Sequence, residues 1–384
     1  MPQIKRFKGL NNTSDALRMG LGWLSTADNV NVTNTGALSK RAGYIQAKIG
    51  EFRSAFTTFD FNRFYAVVGL TLTDYDGVVI DTLSVLDPMF WTEINDHVFF
   101  NNGTDSGVIH PDNSVLMWRW ATPTAPTVAA VTGSLPAGTY QVRCTYLLDD
   151  GRETGTGDAA EITLTDGQAL QISNIPIGLG TQTNVYIAPA NSDVYQLYAT
   201  TRATALTFNT SPDTLGRDLL NAFLDPLPQD TSVTCAWKGR VYAAQYMPSE
   251  GQTAIWFSEP LAFHLFNLNS NFILVPGQVH MLAAHDEALL IGTSDRVYAY
   301  RGDKLEQLAA YGVLPGWHDD RDDGTVYFWT TRGVCSALPF TNLTERQVSV
   351  APGVRAGGCL VRDGGQKRYL AVIQQGGSAF NPYP

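Results

Sequence analysis

Asp322-Asp323-Gly324-Thr325-Val326-Tyr327-Phe328-Trp329-Thr330-Thr331-Arg332-Gly333-Val334-Cys335-Ser336-Ala337-Leu338 carries the rhythm that decides the fold. An Asp-Gly turn leads into a short strand of β-branched and aromatic residues. An Arg-Gly turn then leads into a second strand. Turn residues supply the left-handed or tight backbone, and the runs between them are too short for helices. The rhythm recurs in FNRFYAVVG (Phe61–Gly69), WKGRVYAAQY (Trp237–Tyr246), HDEALLIGTSDRVYAYRGD (His285–Asp303) and DGGQKRYLAVIQQGG (Asp363–Gly377). Other strand runs are Val78–Ile80 and His97–Phe100. At about 40–50 residues per unit, the segments 52–121 and 230–384 make roughly five blades of an irregular β-propeller-like body, or else an open stack of meanders.

Residues 122–229 break from this pattern. Pro123, Pro126 and Pro136 open the segment, and Pro226 and Pro228 close it. Gly138–Tyr146 alternates with period two, and Asp149-Asp150-Gly151-Arg152-Glu153 reads as a hairpin turn. Further strands are expected at 160–164, 169–172, 184–188, 195–199 and 205–208. That density of short strands matches an immunoglobulin- or fibronectin-like β-sandwich inserted into the body. Residues 1–51 form an N-terminal arm with the first strands. The expected class is therefore all-β. The best helical spacing, Leu215, Leu219, Leu220 and Phe223 within Asp213–Phe223, predicts one short helix. Asp15–Leu24 reads as a helical turn or an ordered loop.

Charge is unevenly placed. The chain has 384 residues and a net charge of −10. Up to Arg53 there are eight basic and three acidic residues, a surplus of five, so the remainder carries −15. A body this acidic is a poor grip for nucleic acid, whose phosphates are held by Lys and Arg. The same acidity suits a wall past which DNA slides, or simply solubility.

Cys144, Cys235, Cys335 and Cys359 form no C-x-x-C pair and read as buried free thiols. No two of the six histidines stand at i, i+4. The acidic run Asp319–Gly324 lacks the alternating ligands of a calcium loop, because Arg321 falls at a ligand position; it reads as a solvated turn. Arg301-Gly302-Asp303 reads as a hairpin turn. Phosphate-binding glycine loops and the nucleophile-elbow motif are missing from the sequence. No catalytic residue, cofactor or metal is assigned, and the chain is read as a non-enzyme. The opening Met1–Lys5 has no apolar signal region, and no apolar run approaches the roughly 18 residues that cross a bilayer.

The arm supplies the candidate site. Lys5, Arg6, Phe7, Lys8, Leu10, Leu17, Leu21, Trp23, Leu24, Lys40 and Arg41 mix cationic and apolar side chains. Trp23 with its leucines suits apolar contact on a neighbouring subunit, with Arg and Lys at the rim.

Ala27-Asp28-Asn29-Val30-Asn31-Val32, Thr35-Gly36-Ala37-Leu38 and Lys40-Arg41-Ala42-Gly43-Tyr44 together resemble the opening of the tail nozzle or tail-tube-end proteins of short-tailed bacteriophages. Ile255–Pro260, Phe263–Phe266, Gly292-Thr293 and Tyr300–Gly302 resemble a second block of that family. The two blocks cover about a third of the chain. The resemblance implies a structural virion protein made in the host cytoplasm, with no membrane insertion. It implies a homo-oligomeric ring, sixfold favoured, below the portal and adaptor. Such a ring contacts tail fibres and passes double-stranded DNA without reading its sequence. Two other readings stay open: a receptor- or glycan-binding tail-tip protein, with Trp118 and Trp120 as exposed aromatics, and a glycan-degrading propeller enzyme.

Overall fold

The computed structural model describes residues 6–375 except 16, 42, 44, 47, 179–181, 323, 351–352 and 364–365. The chain is all-β. Among the described residues the one helical element is a 3-10 turn at Pro212–Thr214.

Among the described residues, five antiparallel meander sheets follow one another along the body. Sheet I runs Phe52–Thr57, Phe64–Val68, Thr71–Asp74 and Val79–Thr82. Sheet II runs Phe90–Ile94, His97–Asn101, Ser106–Ile109 and Val115–Met117. Sheet III begins Thr231–Trp237, Arg240–Met247 and Gln252–Glu259; both Ala262–Phe266 and Phe272–Pro276 then pair with its third strand. Sheet IV runs Val279–Ala284, Leu289–Thr293, Val297–Tyr300 and Leu305–Ala309. Sheet V runs Asp320–Asp322, Thr325–Thr330, Gly333–Ala337 and Thr341–Asn342. A long hairpin, Gly353–Asp363 with Gln366–Gln375, follows sheet V.

Local chemistry sets these hairpins. Asn95 and Asp96 both have positive φ, as do Lys238 and Gly239. Two consecutive left-handed residues give the turn whose twist matches the flanking strands. Arg301-Gly302-Asp303 is likewise a turn, with Gly302 at φ +100°.

Each middle sheet buries both faces. In sheet II, Val98, Phe100 and Ile109 join Tyr65 and Trp91 in a core shared with sheet I. Phe99 and Val108 point the other way, onto Trp118, Val241 and Phe266 of a core shared with sheet III. Val275, Leu282 and Ile291 sit between sheets III and IV, and Leu290, Val326 and Phe328 between IV and V. This double burial explains the near-continuous apolar runs: all five residues of Leu289–Thr293 are buried.

Between sheets II and III the chain makes a two-sheet sandwich. One sheet orders Thr127–Leu135, Gln168–Ser173 and Leu206–Phe208; the other orders Ala160–Leu164, Gly138–Leu147, Gln182–Ala188 and Gln196–Thr201. Tyr140, Val142, Leu170, Ile172, Val185 and Phe208 fill the space between them. The expected helix at Asp213–Phe223 is not formed. Its backbone is taken by the sandwich edge instead: the Gly216 N–H donates to the Leu197 carbonyl and the Leu219 N–H to the Tyr195 carbonyl, each at 2.8 Å. Leu220 and Phe223 are left exposed. Edge pairing outweighed helical spacing. At Asp15 a single turn forms, closed by Met19 N–H to Asp15 O at 3.0 Å, and goes no further.

Candidate interaction surfaces

The arm folds through its backbone. Lys8 N–H donates to Gly22 O at 2.7 Å, and Gly9–Leu10 lies parallel to Trp23–Leu24. Phe7 N–H donates to Gly36 O at 2.8 Å. Gly36 is the turn of a hairpin, Val30–Val32 with Leu38–Lys40. Gly22 (φ +95°) and Gly36 (φ +81°) admit the chain at Arg6: a Cβ would stand 2.7 Å from Arg6 O and 2.9 Å from Arg6 Cβ respectively. These close approaches require glycine.

The candidate residues divide into two groups. Leu10 and Leu24 are register partners next to Trp23, and these three with Phe7 are half-buried; Arg6, Lys8, Lys40 and Arg41 are exposed. Leu17 and Leu21 lie apart, 94% and 64% exposed. Lys5 lies outside the described residues, as do Ala42 and Tyr44 of the family-like block. Among the described residues, no apolar side chain before Tyr65 belongs to the buried core. Ile45 and Ile49, near the end of the arm, are 95% and 89% exposed.

What fastens the arm is polar. Asn12 N–H donates to Gln347 O at 3.0 Å, and the Asn12 side-chain amide bonds both ways with Ser349, Nδ2 to O at 2.9 Å and Oδ1 from N–H at 2.6 Å. Thr13 adds a bond to Arg346 O. This hook escaped the sequence reading because an Asn in a loop gives no signal of a partner more than 300 residues away.

A second unforeseen cluster joins sandwich and body. The Glu153 side chain is 14% exposed. Its Oε1 accepts from Thr145 Oγ1 at 2.5 Å, Asn184 Nδ2 at 2.8 Å and Tyr186 OH at 2.7 Å, and its Oε2 accepts from Arg217 at 2.7 Å. Burial first, then the Glu153 carboxylate, pushes the Tyr186 hydroxyl pKa up. The Glu153 carbonyl accepts from His264 Nε2 of sheet III at 3.0 Å. Beside it, Gly155 and Gly157 pass so close to Leu224 and Pro123 that a Cβ would stand 1.6 Å and 2.1 Å from those carbonyl oxygens.

Other sequence candidates resolve into structural roles. Trp118 is fully buried, with its Nε1–H donating to Phe263 O at 2.8 Å. Trp120 is half-buried. Trp118 is therefore no exposed platform for a sugar, because sheets II and III close over it. The acidic run is not a bare solvated turn either. Asp322, 7% exposed, pairs with Lys367 at 2.7 Å and with Arg362 of the C-terminal hairpin. Hydrogen bonding from Lys367, with help from Arg362, holds its carboxyl below the ordinary range. Asp320 accepts from Leu360 N–H at 2.9 Å. Asp319 has its pKa pushed up to about 7, chiefly by burial. Beside it, His318 is buried and its pKa falls to about 4 through burial; Nε2–H donates to Leu314 O and Nδ1 accepts from Trp329 N–H. Cys144 and Cys335 are buried as expected, Cys235 is half-buried, and Cys359 is exposed. Among the described residues, no three His, Cys, Asp or Glu side chains cluster to hold a metal, and no helix is long and apolar enough to cross a membrane.

No family model matches this chain, and no curated protein matches it. Among solved structures, it is similar to the extracellular domain of a B. thetaiotaomicron protein described as a hybrid two component system, BT4673. Identity there is 11%, TM-score 0.32, and the match covers 83% of this chain and 36% of that one. PorZ of Porphyromonas gingivalis matches at 12% identity and TM-score 0.22, over 86% of this chain and 52% of that one. The AfRom2 CNH domain matches at 10% identity and TM-score 0.22, over 66% and 100%. This chain thus spans about a third to a half of the first two. Scores this low carry no argument about function.

Proposed function

We propose that this protein is a structural component of a bacteriophage tail, one subunit of an oligomeric nozzle or tube that lines the DNA exit channel. The observation that carries the reading is the arm. It holds the family-like residues Ala27–Tyr44, has no buried apolar side chain among its described residues, and leaves Leu17, Leu21, Ile45 and Ile49 exposed. A segment so built gains its apolar burial from a neighbour. The acidic body supports the same reading, since a wall of like charge lets DNA pass without holding it. The stacked meanders act as the blades of a propeller-like body in this reading, and the sandwich presents the surface for tail fibres.

The test is antibody labelling of source particles by electron microscopy, followed by deletion of residues 2–24. Label at the tail or neck, and loss of incorporation on deletion while the body stays folded, are expected. Unlabelled particles overturn the tail assignment. Normal incorporation of the truncated chain overturns the role given to the arm.

A further inference from the structure

Charge separates along the chain more sharply than its total suggests. Residues 54–352 hold fourteen basic and thirty-two acidic side chains. The C-terminal hairpin, 353–375, reverses the sign, with Arg355, Arg362, Lys367 and Arg368 against Asp363.

This hairpin is a two-faced ribbon. One face lies on the body: Ala356 is 5% exposed, its N–H donates to Pro315 O at 2.9 Å, and the Tyr369 hydroxyl donates to the His318 carbonyl. Strand alternation puts Cys359, Val361, Leu370 and Val372 on the other face. Cys359 is opposite Leu370, and Val372 is opposite Gly357. Val361, Leu370 and Val372 are 38%, 39% and 73% exposed. Arg355 and Arg368 stand on the same face. Among the described residues, Gln366–Gln375 pairs with no strand besides Gly353–Asp363, so its far edge is open.

Sheet I ends in a surface of opposite charge. Its last strand, Val79–Thr82, is also an edge. Tyr75, Val78, Val79 and Leu86 are 60%, 58%, 54% and 50% exposed there. Asp76, Asp81 and Asp87 are interspersed with them in sequence, against Lys48, whose Nζ lies 4.3 Å from the Tyr75 ring centre. Both surfaces carry exposed apolar side chains, end among the described residues in an edge strand, and come from stretches of opposite net charge.

We propose that the outer face of the 353–375 ribbon docks on the sheet I edge of a second copy of this chain. Apolar side chains meet at the centre, and Arg355 and Arg368 meet the Asp76, Asp81 and Asp87 carboxylates at the rim. The open edges are covered in the same contact. The two surfaces differ, so the contact is heterologous. Repeated, it builds a closed ring or an open chain. The proposal deepens the self-association in the functional reading above and rests on it.

Sedimentation velocity of the full chain tests it, with circular dichroism confirming the fold of each variant. Wild type is expected to self-associate, more weakly as salt rises. Val372→Asp on the ribbon and Val79→Lys on the edge each weaken association about tenfold or more. Mixing the two variants gives one-to-one dimers and nothing larger, because each copy keeps one intact surface. A wild type that stays monomeric at every concentration, a variant that assembles like wild type, or a mixture that stays monomeric overturns the proposal. A chain that assembles through these surfaces yet is missing from tail particles overturns the functional reading and leaves the interface standing.

Discussion

Replacing Glu153 by Ala removes the acceptor on which three buried donors converge. Thr145, Asn184 and Tyr186, each at most 1% exposed, all donate to Oε1. A buried donor left without a partner costs about 1–3 kcal/mol, and bonds to an ionised acceptor are roughly twice as strong as neutral ones. Two relaxations reduce the sum. The Thr145 and Tyr186 hydroxyls rotate, and the Arg217 side chain is 60% exposed, so its ion pair with Glu153 adds little. The net expectation for Glu153→Ala is about 2–4 kcal/mol of destabilisation, from the buried donors left without an acceptor. Glu153→Gln keeps a carbonyl oxygen for the same donors and is expected to cost about 1 kcal/mol. Urea unfolding reads both as lower midpoints at an unchanged slope. Hydrogen exchange adds location: the amides of Gln182–Ala188 lose protection first in the Ala variant. Equal effects of Ala and Gln, or an Ala variant within about 0.5 kcal/mol of wild type, refute the reasoning, because removing the convergent acceptor is then immaterial.

Three further expectations follow from the packing. Asp319, whose carboxyl pKa is pushed up to about 7 by burial, binds a proton in the folded chain that it releases on unfolding. Its contribution is intact below the ordinary carboxylate range and is lost as pH rises towards 7. Asp319→Asn therefore gains stability over wild type at pH 8 and none at pH 4; taking the difference at each pH cancels His318, which works in the opposite direction, and a gain that is the same at both pH values refutes the assignment. Gly155→Ala drives a Cβ to 1.6 Å from Leu224 O and is expected to lower the melting temperature by several degrees or prevent folding; wild-type melting would show that the junction yields freely. Trp118→Ala empties a fully buried site and orphans Phe263 O, at a cost of about 3–5 kcal/mol in chemical denaturation, whereas an exposed sugar platform would lose almost nothing.

The sequence by itself determined the all-β class. Turn residues at Asn95-Asp96, Lys238-Gly239 and Arg301-Gly302 impose local backbone angles, and local angles are written in local sequence. The meander sheets and the sandwich strands from 160 to 208 therefore stand close to where the pattern places them. Helical spacing at Leu215–Phe223 failed for the complementary reason. Whether that backbone coils or pairs was decided by the free edge beside Leu197, which lies elsewhere in the chain.

The interaction surfaces divide along the same line. The mixed cationic and apolar character of the arm was plain, since composition is local. The hook of Asn12 on Ser349, the convergence on Glu153 and the pairing of Asp322 with Arg362 and Lys367 join residues far apart in sequence. Only tertiary structure brings such partners together, because a polar side chain states its need for a hydrogen bond but not who will meet it. Burial is the other quantity that the sequence withheld. Trp118 and Leu17 are both apolar, yet the packed sheets enclose one and the arm leaves the other 94% exposed.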